Sequence, residues 1–145
     1  MLEIYTEIID IIINDATIKN LIGYTSSDER IYAWNPSEDI IYSNSKKGAI
    51  FYRSATGKRP VRWSYPQQFS NSTLFFKVVA VDQETTDKIG ERLIELFDLQ
   101  KIETTNWKIN HCELLSYNDA APEGSPSNTQ WSKMITFVFT NIFRR

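Results

Sequence analysis

The chain has one histidine and one cysteine, His111 and Cys112, and they are neighbours. A Cys/His nucleophile needs its thiol and imidazole within hydrogen-bond reach. Both residues lie in WKINHCELLSY (107–117), which reads as a strand, so their side chains point to opposite faces and cannot form a dyad with each other. With a single residue of each type, zinc would need at least two carboxylate ligands, an uncommon structural set. No metal or other cofactor is expected. SATGKRP (54–60) offers the Gly-Lys pair of a phosphate loop, but the full pattern needs glycine at 52 and Ser or Thr at 59, where Tyr52 and Arg59 stand. Glu3, Glu7, Asp10 and Asn14 fall on one helical face. Catalytic carboxylates require desolvation or a fixed separation, and a surface stripe shows neither, so this face reads as solvated or interfacial. Asn71-Ser72-Thr73 matches the glycosylation triplet, which has no meaning without a secretory signal. These residues predict a protein that is not an enzyme.

One cluster survives. Lys58, Arg59 and Arg62 stand among Trp63, Tyr65 and Phe69, cations interleaved with stacking surfaces. That mixture suits a single-stranded nucleic-acid groove, and the same residue types are enriched at protein contact hot spots. The overall charge favours the protein contact over nucleic acid: 16 basic against 18 acidic residues give −2, and no global field recruits nucleic acid or an anionic membrane; a loop that is merely packed is the third reading.

The elements that must position these groups follow from the pattern. At 145 residues, 41% apolar and 23% charged, the chain is expected to fold as one domain, residues 1–145. MLEIYTEIIDIIIND lacks a basic leader, and Glu3, Glu7 and Asp10 interrupt it too early for a membrane span, so a cytoplasmic origin is expected. One cysteine permits no internal disulfide. The opening helix carries two apolar stripes, Leu2, Tyr5, Ile9, Ile12 and Ala16 beside Ile4, Ile8, Ile11 and Ile18. A helix on one sheet needs a single stripe of about 100°. Ile4, Ile8, Ile11 and Ile18 are therefore expected either at a subunit interface or in a helix sunk deeply into a monomer. Asp15 is the expected N-cap of a short turn, ATIKNLI, which Gly23 ends.

Strands are predicted at RIYAW (30–34) and GAIFYRS (48–54), with a loop from Pro36 and a long irregular excursion over 55–72. TLFFKVVAVD then reads as a strand apolar on both faces, followed by the helix TTDKIGERLIELFDL. Asp82 or Thr85 caps that helix, Ile89, Leu93, Leu96 and Phe97 form its buried face, and Lys88, Glu91, Arg92, Glu95 and Asp98 its wet one. The last strands are 107–117 and 131–143, joined by the flexible NDAAPEGSPSNTQ. In 131–143, Trp131, Ile135, Phe137, Phe139 and Phe143 share the core face, while Met134, Val138 and Ile142 alternate with threonines on a half-wet one. The expected class is α+β: a mostly antiparallel sheet of about five strands with an N-terminal helix and a second helix packed on it.

This order, with DATIKNLIG, RIYAWNP, FFKVVAVDQETTDKIGERLIELFD and APEGSPSNTQWSKMITFVF, resembles the tail terminator (tail completion) proteins of tailed bacteriophages over nearly the whole chain. The resemblance implies a homo-oligomeric ring, a hexamer in that family, which caps the tail tube, stops its polymerisation and joins it to the neck or connector. The implied partners are other copies of the chain, the tail tube protein and the neck/connector protein, with DNA only passing through the lumen. The implied location is the virion, after assembly in the host cytoplasm. Another head-tail joining or minor tail protein of similar build is the near alternative. A nucleic-acid-binding accessory domain using loop 58–69 is the alternative from a different class.

Overall fold

A computed structural model describes residues 2–33, 42–43, 45–55, 68–123 and 129–145. Its elements run α1 (Leu2–Ile13), α2 (Ala16–Ile22), β1 (Ile31–Ala33), β2 (Gly48–Ala55), β3 (Gln68–Ala80), α3 (Gln83–Phe97), β4 (Ile102–Glu103), β5 (Trp107–Glu123) and β6 (Gln130–Arg144). The fold is α+β. The strands form a six-stranded mixed sheet in the order β1-β2-β3-β6-β5-β4, where about five mostly antiparallel strands were expected. β1 lies parallel to β2, and the remaining neighbours are antiparallel. The sixth strand is β4, too short to carry an alternation signal of its own.

Local chemistry sets the helix ends. The Asp15 side chain accepts from the Ile18 N–H at 3.0 Å and starts α2, and Gly23, at φ 76° with its N–H on the Lys19 carbonyl, ends it. A Cβ at Gly23 would lie 2.0 Å from the Ser45 carbonyl oxygen, so the position excludes side chains by space as well as by dihedral. For α3 the cap is Asp82, accepting from the Thr85 N–H at 2.7 Å. Its inner face is Ile89, Leu93 and Phe97, all fully buried, with Leu96 only partly so. Phe97 is the hub: its ring centroid lies 6.3 Å from Phe76, 5.5 Å from Phe137 and 6.1 Å from Phe139.

Three expectations about the strands are corrected. β3 begins at Gln68, so the irregular excursion expected over 55–72 gives way to strand at its end. β5 continues through Ala121 and Pro122 to Glu123, into the segment read as a flexible linker. Proline is tolerated on a margin where no ladder hydrogen bond is lost, and a register shift between Ala120 and Glu123 accommodates it. In β6 the core alternation breaks: Phe137 and Phe139 are buried two apart, yet the next fully buried residue is Ile142, and Phe143 is only partly buried. Between them Asn141 takes φ 52°, a left-handed conformation that asparagine tolerates, and the faces exchange there. β5 shows the same three-residue step from Ile109 to Cys112, both fully buried.

The sheet beyond this switch accommodates α1. Glu7 accepts from the Asn106 backbone N–H at 3.0 Å and from the Thr104 hydroxyl at 3.1 Å, beside the β4–β5 turn. The Tyr5 hydroxyl bonds that of Ser72 on β3. Ile4, Ile8 and Ile18 are fully buried in this single chain, as are Ile12 and Ile22, and Ile11 is partly buried against the same core. Of the four residues expected at a subunit interface, Ile4, Ile8 and Ile18 are thus sunk into their own subunit, as the alternative expectation had it, and Ile11 keeps part of its side chain exposed. Tyr5, Ile9 and Ile12 of one stripe and Ile4 and Ile8 of the other are used inside one subunit, in a core that also holds Trp107, Ile109 and Ile142.

Candidate functional site

The residues with the most obvious chemical potential do not converge. Cys112 is fully buried, and burial pushes its thiol well above the ordinary range. His111 looks the other way, its side chain 44% exposed, with the imidazole 3.6 Å from the Glu113 carboxylate. In the acidic stripe, Glu7 is committed to Asn106 and Thr104, while Asp10 and Asn14 are exposed. Ser72 of the glycosylation triplet is buried in β3. Among the described residues no group of three or more His, Cys, Asp or Glu is placed to hold a metal. Of the basic and aromatic cluster, Lys58, Arg59, Arg62, Trp63 and Tyr65 lie outside the described residues, and Phe69 is in β3 opposite Ile142, not in a loop.

Three polar knots, none read from the sequence, organise the molecule instead. Lys133 sits in β6 on the face expected to be apolar, its side chain 5% exposed, bonded to Asp87 at 2.5 Å, the Tyr117 hydroxyl at 3.0 Å and Asp119 at 3.2 Å. Burial opposes its charge, yet the bonds to Asp87, Tyr117 and Asp119 outweigh that and hold its pKa above the ordinary lysine value. Gly90 is part of this knot, since a Cβ there would lie 2.8 Å from the Tyr117 hydroxyl. The second knot is Arg30, 1% exposed at φ 58°, donating to the Gly48 carbonyl at 2.8 Å and to Asp28 at 3.3 Å. Asp28 also receives Lys46 at 3.0 Å and the Tyr32 hydroxyl at 3.0 Å. Tyr42 lies under the Arg30 guanidinium, and burial pushes its hydroxyl up to about 12. These contacts join β1 to the entry of β2.

The third knot ties α2 to α3. Arg92 donates to Asp15 at 2.7 Å and to Glu95 at 2.8 Å, drawing it off the wet face expected for it. The Arg92 hydrogen bonds hold the Asp15 carboxyl below its usual value, with the Ile18 N–H assisting. A carboxylate depressed in the folded state contributes stability that is present above its unfolded pKa and is lost as pH falls through the folded one. Thermal melts from pH 7 down to pH 2 should therefore lose stability through the acid range, and Asp15→Asn should flatten that profile. An unchanged acid limb in the variant would contradict the assignment.

Two surface clefts flank this third knot. One, of about 420 Å³, is lined by Asn20, Leu21, Ser45, Lys47, Asp82, Glu84, Thr85 and Lys88. The other, of about 230 Å³, lies between Thr17, Leu21 and the Lys88–Glu95 side of α3. Both have cations and carboxylates in alternation, and neither gathers a nucleophile and a base.

The outer margin of β5 is only partly covered among the described residues. β4 covers it at Lys108 and Ile109. The turn after α3 then covers it twice more, through the Leu99 N–H on the Cys112 carbonyl at 2.8 Å and the Asp98 carboxylate on the Leu114 N–H at 2.9 Å. Past Leu114 no strand or loop among the described residues pairs with that margin. Among the described residues the exposed large apolar side chains are Leu99 at 72%, in the turn that meets Cys112, and Leu115 at 65%, on β5 itself. An uncovered strand margin with greasy residues beside it is a template for another strand.

Comparison with known proteins adds little to this geometry. No protein-family model matches the chain, and no curated protein is similar to it. One solved chain, which carries only a serial designation, aligns over 76% of this chain and 78% of its own at 8% identity and a TM-score of 0.40, too low a likeness to carry an argument.

Proposed function

We propose that the chain is a structural virion protein of the tail-terminator kind, assembling through copies of itself into a ring that ends a phage tail tube and offers a surface to the neck or connector. The observation that carries the reading is the uncovered β5 margin with Leu99 and Leu115 exposed beside it, a surface suited to a neighbouring subunit. The α+β build is in keeping with it, and so is a set of buried polar knots that stiffen the subunit without forming a catalytic centre. A cyclic ring needs two unlike complementary patches on each subunit, and a sheet with differing margins supplies a pair. The partners are then further copies of the chain, the tail tube protein and the neck protein, in the virion. Negative-stain images of the purified protein should show six-fold annuli. Fields of single small particles at every concentration would count against the reading.

A further inference from the structure

We infer that Lys133 is a register pin: with Tyr117 and Asp119 it selects the pairing in which β5 carries a surplus residue at Leu115, against a plain ladder open to the same strands. The inference concerns a single subunit and stands apart from the ring reading.

The pairing of β5 with β6 defines both alternatives. Leu114 stands opposite Phe137 and Ser116 opposite Thr136, so Leu115 is the extra residue of a β-bulge. Beyond it Tyr117 meets Ile135 and Asp119 meets Lys133. Without the bulge, every residue of β5 after Leu114 would shift its partner by one position. Asn118 would then stand opposite Lys133, and Tyr117 and Asp119 would turn to the other face.

Apolar burial does not choose between these registers. None of the residues from Leu115 to Pro122 is more than partly buried, and a strand with neither face firmly buried is the kind that slips. The bulge also leaves Leu115 out of the ladder, with its side chain 65% exposed. What the bulged register has, and the plain one lacks, is the contact set of Lys133. The ammonium donates to the Tyr117 hydroxyl at 3.0 Å, pairs with Asp119 at 3.2 Å and lies 4.2 Å from the centre of the Tyr117 ring. Asp87 holds it from α3 at 2.5 Å, so the cation is anchored independently of β5. Gly90 completes the seat, because a Cβ there would lie 2.8 Å from the Tyr117 hydroxyl. In the plain register Lys133, with its side chain 5% exposed, would lose both partners on β5. A buried cation short of acceptors is costly. Such a cluster gives little stability over apolar side chains of similar volume, and fixing register is its best-attested use.

The test is Lys133→Met in the full chain, beside a second variant, Tyr117→Phe with Asp119→Asn, which conserves shape and leaves Lys133 bonded to Asp87. NMR of the wild type should give one set of amide resonances and a cross-peak between the Tyr117 ring and Gly90. Each variant should show a second set confined to residues 115–121 and their partners on β6. In that set the cross-peak to Gly90 is lost and Asn118 moves from opposite Met134 to opposite residue 133. Amides bonded between β5 and β6 beyond the bulge should lose exchange protection by about tenfold or more, while those of β3 keep it. Deleting Leu115 from Lys133→Met should restore a single set, because the plain ladder then carries position 117 inward. If Lys133→Met does not fold, the double variant decides by the same readouts. A single set with the contact to Gly90 intact would overturn the inference, as would a second set that survives deletion of Leu115. Protection lost throughout the sheet with one register kept would mark a cluster that only stabilises, and would overturn it as well.

Discussion

Ile8→Glu is expected to unfold the chain and not to release folded subunits from an assembly. Ile8 is fully buried in the single subunit, between the other inward isoleucines of α1 and the sheet. A carboxylate there has no cation to meet, and burying an unpaired polar or charged group costs several kcal/mol. Whole domains of this size are stable by only about 5–15 kcal/mol, so most of the margin would go. Ile11→Glu offers the contrast, because Ile11 is only partly buried and its carboxylate can reach water. Circular dichroism should show a melted or strongly destabilised Ile8→Glu and a folded Ile11→Glu. If Ile8→Glu instead kept a native spectrum and only lowered the mass of the assembly, α1 would be a subunit contact after all.

Phe97→Ala is the second large effect. The ring is fully buried at the meeting point of α3, β3 and β6, with Phe76, Phe137 and Phe139 around it. Removing it takes away both the transfer free energy and the edge-to-face contacts, and leaves a cavity that three large rings cannot easily collapse. A loss of about 3–5 kcal/mol is expected in urea unfolding, with a fall in Tm of roughly 10 °C or more. A loss below about 1 kcal/mol would mean that the aromatic cluster is not the keystone of the core.

The parts of the fold legible in the sequence are those fixed by local chemistry. Asp15, Gly23 and Asp82 announce helix ends because a carboxylate bonded to a backbone N–H and a left-handed glycine are settled within a few residues of chain. The inner face of α3 follows its period, and the opposite orientation of His111 and Cys112 follows from alternation along a strand. What failed depends on contacts distant in sequence. Asn141 reverses the faces of β6 with one positive φ, which no alternation count reveals. Pro122 and the small residues around it look like a loop, yet on a sheet margin they remain strand.

The same limit applies to the polar residues. Nothing local marks Lys133 and Arg30 for burial, because their partners Asp87 and Gly48 are far from them along the chain. The doubled stripe of α1 posed the largest question, since its two readings differ only in whether one subunit has floor enough for both. Trp107 and Ile109 on β5 and Ile142, just past the face exchange at Asn141, provide that floor. The inward isoleucines of α1 are therefore spent inside the subunit, and the exposed Leu115 gave no warning before the coverage of its strand was known.

Self-association by the wild-type protein is the claim on which the rest stands, and sedimentation equilibrium over a wide concentration range measures it most directly. The expected result is a species of six times the 16.9 kDa subunit. A single species at the subunit mass throughout, with Leu99 and Leu115 still open to solvent, would contradict it.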